Sequence, residues 1–227
     1  EEMSVGDSSP LLAPVITLQA LGAAAVGILG GMDIPQLAEW LAEALPYAAI
    51  PLIAAPSAAT ANGNLSPLAF SEQMQTVLDA GAVILGSCDT APEHVAVLRG
   101  LLDRHPIVVA PEIDTEAAAG EQEAFFLSED LQPSPPLPCD SRLGDALIDA
   151  EEEYNVARVH IAAPEDIAVF LEHAPLSRLP LAVYTDDAQV LSSVLLQYPG
   201  RLLVDSLCEV ETILLEDLAA FYGAIVF

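Results

Sequence analysis

Cys88 and Asp89 stand side by side in the segment Leu85-Gly86-Ser87-Cys88-Asp89-Thr90-Ala91-Pro92-Glu93-His94, which follows the apolar run Ala82-Val83-Ile84. A cysteine thiolate is the soft anionic ligand that zinc needs, and a neighbouring carboxylate can assist it. The segment reads as a buried strand that breaks at a glycine turn and continues as a helix through Pro92. In an α/β protein such a turn lies at the C-terminal edge of the sheet, where chemistry is usually placed. Cys88 then has two readings. It is a metal ligand helped by Asp89 and by Asp33 from the same pole, or a half-buried apolar filler. His94 divides in the same way, between a ligand and a residue of the helix start. Further on, Arg158 and His160 are the only basic residues on their strand. They could meet an anionic ligand, or pair with the acidic helices around them.

These residues are positioned by an alternation of helices and strands. Leu11 to Leu21 reads as helix and Ala24 to Leu29 as strand. Asp33-Ile34-Pro35 opens a helix, Gln36 to Leu45, with Leu37, Trp40, Leu41 and Leu45 on one face. Ile50 to Ala55 is a strand that ends at Pro56, and Ser57 to Ser66 is a small-residue loop of the kind that covers an active site. Helix Phe70 to Ala80, strand Ala82 to Leu85, helix Pro92 to Leu102 and strand Ile107 to Ala110 follow. From residue 111 to 140 the character changes: Thr115 to Glu123 is rich in Ala and Glu, and Pro133-Ser134-Pro135-Pro136-Leu137-Pro138 excludes helix and inner strand. Helices 143–153, 164–173, 187–198 and 210–222 then alternate with strands 157–162, 181–184, 201–205 and 224–227. The expected class is α/β, with parallel barrel-type units. Residues 1–110 form one unit, 111–140 a connector and 141–227 another. The pattern begins and ends in mid-alternation, so a half-barrel closing one domain and a half-barrel opening the next are expected.

Composition narrows the partners. The formal net charge is −28, with six Arg and no Lys, so phosphate backbones and anionic membrane surfaces are repelled. No nucleic acid and no membrane is expected as a partner. Leu11 to Met32 carries no charge and is long enough to span a bilayer. Its Pro14, Gln19 and four glycines, and the lack of flanking basic residues, make it a helix and a strand of a globular core instead. Three cysteines, Cys88, Cys139 and Cys208, are widely spaced and give no disulfide framework. A reducing cytoplasm follows.

Several segments resemble the homocysteine S-methyltransferase family and cobalamin-dependent methionine synthase. Gly86-Ser87-Cys88-Asp89-Thr90-Ala91-Pro92-Glu93-His94 is similar to that family's zinc motif G-G-C-C-G-T-x-P-x-H. Leu21 to Gly30 is similar to L-G-A-x-A-V-G-x-N-C, and Ile50 to Ala59 to I-P-L-x-x-x-P-N-A-G. In the second half, Phe126 to Pro133, Pro180 to Asp187, Leu203 to Ser206 and Tyr222 to Val226 lie in the order of the methyltetrahydrofolate-binding barrel. The resemblance implies methyl transfer to the homocysteine thiol, with zinc, methyltetrahydrofolate and cobalamin as cofactors. The implied partners are a small-molecule thiol substrate or a corrinoid or methyltransferase partner domain. Of the three zinc-thiolate positions only Cys88 is retained, the others being Gly30 and Ser87. The pterin-contacting positions hold Gln132, Arg158-Val159-His160, Tyr184 and Asp205 in place of the family's residues. The alternative is a non-catalytic homologue that keeps the barrel halves as a scaffold or binding module. A third reading is a general α/β ligand-binding domain with its ligand at the Ser57 to Ser66 loop. A glycine-rich phosphate loop is excluded by the spacing of Gly27-Ile28-Leu29-Gly30-Gly31 and the absence of a following Lys.

Overall fold

The computed structural model describes residues 11–60, 63–106 and 116–227. Contacts divide them into an N-terminal unit, residues 11–19 and 23–106, and a C-terminal unit, residues 20–22 and 116–227. Both are α/β with parallel strands in consecutive order. The expected strand Ile107 to Ala110 lies outside the described residues.

In the N-terminal unit, α1 (Leu12–Ala20) precedes β1 (Val26–Leu29), α2 (Ile34–Ala44), β2 (Leu52–Ala55), α3 (Pro67–Asp79), β5 (Ala82–Leu85) and α4 (Pro92–Leu102), with a short hairpin of β3 (Ala59–Thr60) and β4 (Gly63–Asn64) after β2. The sheet order is β1-β2-β5, all parallel. Val26, Leu52 and Ala82 face Leu37 and Leu41 of α2, Phe70 and Met74 of α3 and Leu98 of α4 in one buried cluster. Three parallel strands in chain order, with their helices packed on them, make an α/β layer. Gly27 lets β1 and β2 approach, because a Cβ there would fall on the Ile53 carbonyl. Helix starts are set by side chains: Asp33 accepts from the Gln36 N–H at 2.9 Å and Ser66 from the Ala69 N–H at 3.3 Å, each followed by a proline in the first turn. Ser66 therefore starts α3 three residues before the apolar periodicity does. The loop after β2 is not plain coil, since β3 and β4 pair antiparallel.

In the C-terminal unit, a hairpin of β6 (Ala117–Ala119) and β7 (Ala124–Phe126) leads to β8 (Leu137–Pro138), α5 (Leu143–Ala150), β9 (Ala157–His160), α6 (Asp166–His173), β10 (Leu181–Tyr184), α7 (Ala188–Gln197), β11 (Leu203–Val204), α8 (Thr212–Tyr222) and β12 (Ile225–Val226). The five-stranded sheet runs β12-β11-β10-β9-β8. Residues 116–140 are thus not a bare connector. The alanine run pairs as β6 with β7, and Arg201 ties it to the sheet, donating to the Ala117 carbonyl at 2.9 Å. The proline run supplies β8 at the sheet edge, bonded to β9 alone, where a missing N–H does no harm.

Strand alternation separates two faces of this sheet. Val159, Val183 and Val204 turn to the helices with Leu147, Phe170 and Leu191. Ala182, Leu203 and Ile225 turn the other way, against Ala118 and Phe125 of the hairpin. Asp187 caps α7 through the Gln189 N–H at 2.7 Å, and α8 ends on Gly223 at φ 69°, the left-handed closure glycine favours. Among the described residues no helix is long and apolar enough to cross a membrane.

Candidate functional site

The C-terminal ends of β1, β2 and β5 open on a cavity of about 500 Å³. The β1 turn enters it through Gly31, whose φ of 70° follows Gly30 at 64°, a double left-handed turn open to glycine. Asp33 stands at its rim as the cap of α2, Ser57 and Thr60 come from the segment after β2, Gln73 from α3, and Asp89 from the turn after β5.

Asp89 is the centre of this arrangement. Pairing of β2 with β5 continues past their ends, with the Cys88 N–H donating to Pro56 O at 3.1 Å and the Ala58 N–H to Cys88 O at 3.1 Å. The chain then turns sharply. Asp89 adopts φ 52° and is, among the described residues, the one non-glycine with positive φ. Asp and Asn enter this region more readily than other L residues, and the conformation persists where the surroundings fix it. Here Ser57 Oγ donates to Asp89 Oδ2 at 2.9 Å, and Asn64 Nδ2 donates to the Asp89 carbonyl at 3.3 Å. Ser57 is in turn fixed by the Ala59 N–H at 3.0 Å.

His94 clasps the same loop from behind. Its Nδ1 accepts from the Ala91 N–H at 3.2 Å, so Nε2 carries the proton and donates to Leu65 O at 2.9 Å. The ring is buried and meets Phe70 edge-on at 5.7 Å between centroids. Both nitrogens are spent, so His94 belongs to the helix start and not to a ligand set. Cys88 is half-buried and its thiol points to Ala55 O at 3.7 Å. Ser87 and Thr90 share a hydroxyl hydrogen bond of 2.8 Å.

This donor set does not fit the zinc implied by the resemblance. A Cβ built at Gly30 would sit 4.0 Å from Cys88 Sγ, so the position is close, but it bears no donor atom, and Ser87 is turned to Thr90. Among the described residues no group of three His, Cys, Asp or Glu could hold a metal ion. One thiol does not make a zinc site.

The C-terminal unit presents a different strand edge. Arg158 does not pair with the acidic helices or wait for an anion. Its Nη1 donates to Asp205 Oδ2 at 2.6 Å and its Nε to Ser134 O at 3.0 Å, with the Asp205 side chain 3% exposed. The other Asp205 oxygen takes the Leu207 N–H at 2.8 Å. His160 lies against Tyr184, 5.1 Å between centroids, and the nearby Asp186 charge raises the Tyr184 phenol above its ordinary value. Cys139 donates to Asp166 O at 3.1 Å, and burial pushes its thiol up to about 11. Burial also raises Cys208. At neutral pH both are thiols, which are poor ligands and weak nucleophiles.

Comparison with known proteins overturns the methyltransferase reading. No protein-family model matches the chain, and no curated protein matches it. A solved structure similar to it is described as a putative phosphonomutase from Burkholderia cenocepacia J2315, not a homocysteine methyltransferase. The two share 16% identity over 92% of this chain and 79% of that one, with a TM-score of 0.31. A likeness that distant carries no argument about activity. The homocysteine reaction, its place in methionine biosynthesis and the non-catalytic homologue of that family all lose their support. The folate, cobalamin, thiol-substrate and corrinoid-partner expectations rested on the same resemblance.

Sequence reading placed Cys88, Asp89 and Asp33 at one pole. The structure brings the two aspartates to one cavity and leaves the thiol behind it. Gln73 was missed, having no motif to mark it. Ser57 and Thr60 belong to a loop whose site-covering character was visible in its small residues.

Proposed function

We propose that the N-terminal unit binds a small organic cation, of the size of a simple amine, in the cavity at its strand ends. The observation that carries this reading is Asp89, turned at positive φ beyond β5 with its carboxylate lining the cavity. Strain concentrates where a side chain must be aimed. Ser57 takes one Asp89 oxygen and Gln36 one Asp33 oxygen. Among the described residues the other two oxygens accept no hydrogen bond. Among the described residues no Arg, Lys or His lines the cavity. Two carboxylates without a basic partner favour a cation and reject an anion.

The same charge balance, −28 over the chain, argues against polyanionic partners such as nucleic acid or an anionic membrane. Its three cysteines are unpaired, which supports a reducing compartment, the cytoplasm.

The test is titration of the full chain with ethanolamine hydrochloride at constant ionic strength, followed by amide chemical shifts. Saturable shifts at Gly31, Ser57 and Asp89, weakened about tenfold or more in Asp89→Asn and unchanged in Glu93→Gln, are expected. Shifts that never saturate, or equal binding of acetate, would sink the reading.

A further inference from the structure

The C-terminal unit holds a cavity of its own, of about 430 Å³, far from the strand ends that carry Arg158 and Asp205. It lies at the opposite, N-terminal edge of the sheet, where Leu181 begins β10 and Pro199 precedes β11. Its walls are Phe125 from the hairpin, Leu171 of α6 with Ala174 just after it, Leu181, and Tyr198 at the end of α7. This volume and mostly apolar lining are those of small-molecule sites, which add a few placed polar groups for orientation.

Tyr198 is the placed polar group. Its ring is steadied by Phe170, 5.8 Å between centroids. Gly120 of the hairpin turn lies beside its hydroxyl oxygen and lines the same cavity. Among the described residues no protein group is hydrogen-bonded to that hydroxyl. The hydroxyl stays open to solvent on the cavity side, so a ligand acceptor would take the place of water on it. Burial holds it above its ordinary pKa, so it is a donor throughout the physiological range. Glu121 and Glu123 line the cavity, and among the described residues no Arg, Lys or His does. A carboxylate or phosphate ligand would be repelled.

We infer that this cavity is a second binding site, which takes a compact, uncharged, mostly apolar molecule bearing one hydrogen-bond acceptor for Tyr198. It is independent of the cation site in the N-terminal unit, since no lining residue is shared.

The experiment uses 6-propionyl-2-dimethylaminonaphthalene, a neutral fluorophore with a ketone acceptor, on the full chain. The expected result is a saturable blue shift of its emission, with amide shifts at Gly120, Phe125 and Tyr198. Tyr198→Phe should weaken binding about fivefold, and Ala174→Phe should abolish it by filling the space. If Ala174→Phe does not fold, judged by circular dichroism, the Tyr198→Phe affinity and the amide shifts decide. Naphthalene-2-carboxylate should bind at least tenfold more weakly. Absence of saturation, affinity untouched by Tyr198→Phe, shifts confined to other residues, or equal binding of the carboxylate would each overturn the inference.

Discussion

Asp89 and Asp205 occupy comparable places, each just beyond the C-terminal end of a parallel strand, and meet opposite fates. Asp205 is buried and saturated, one oxygen by the Arg158 guanidinium at 2.6 Å and the other by the Leu207 N–H at 2.8 Å. Asp89 is exposed to a cavity, takes one hydroxyl hydrogen bond and sits at φ 52°. The first carboxylate is consumed by the fold and the second is held out by it. An acidic residue at a strand end is therefore not a site by position. What matters is whether the neighbouring strand offers a counter-charge, and among the described residues lining the Asp89 cavity none does.

The largest expected effect comes from breaking the saturated pair. Asp205→Ala leaves Arg158 buried beside an empty carboxylate position and should cost about 3–5 kcal/mol. Replacing both partners, Arg158→Met with Asp205→Leu, should cost far less than the single change. Urea unfolding followed by circular dichroism measures both, and equal losses would mean that the pair is not coupled. The next effect falls in the other unit. Gly27→Ala drives a Cβ onto the Ile53 carbonyl and should cost about 3 kcal/mol. Trp40 is the only tryptophan and lies in α2, so its fluorescence isolates the N-terminal unit. A smaller effect tests the strain itself. Asp89→Asn should leave the Trp40 transition nearly unmoved, because Asn tolerates the left-handed region, whereas Asp89→Val should lower it by about 2 kcal/mol. Equal effects from the two would remove backbone strain from the account.

Much of this contrast was out of reach of the sequence. The helices were legible because apolar periodicity, caps and prolines agree, as at Asp33-Ile34-Pro35 and at Asp187. Strands β2, β5 and β10 were legible as short apolar runs. Ala117 to Ala119 was not, because three alanines carry helix propensity and only tertiary burial turns them into a strand. The edge strand Leu137–Pro138 hid behind its prolines. The Arg158–Asp205 pair spans 47 residues and depends on register. Arg158 is level with Ala182 and Ala182 with Leu203, so Asp205, two residues on, shares the face of Arg158. No local pattern announces that. Nor does Cys88-Asp89-Thr90 announce a left-handed aspartate, since Asp is tolerated there without being required.

The smallest effect separates the units by pH. Cys139, in the C-terminal unit, has its thiol raised by burial and then by the charge of Asp166, from an ordinary 9.0 to about 11. A thiol raised in the folded state holds its proton while the unfolded chain has already released it. Its contribution is complete below pH 9, declines as pH rises, and is gone above about 11. Cys208, Tyr184 and Tyr198 are raised as well, so they act in the same direction and the wild-type slope is a sum. Cys139→Ser isolates one share. It should flatten the loss of stability between pH 9 and 11 in the circular dichroism transition and leave the Trp40 transition where it was. A slope unchanged by the substitution would show that the thiol titrates alike in both states, whereas a shift of the Trp40 transition would show that the two units do not unfold independently.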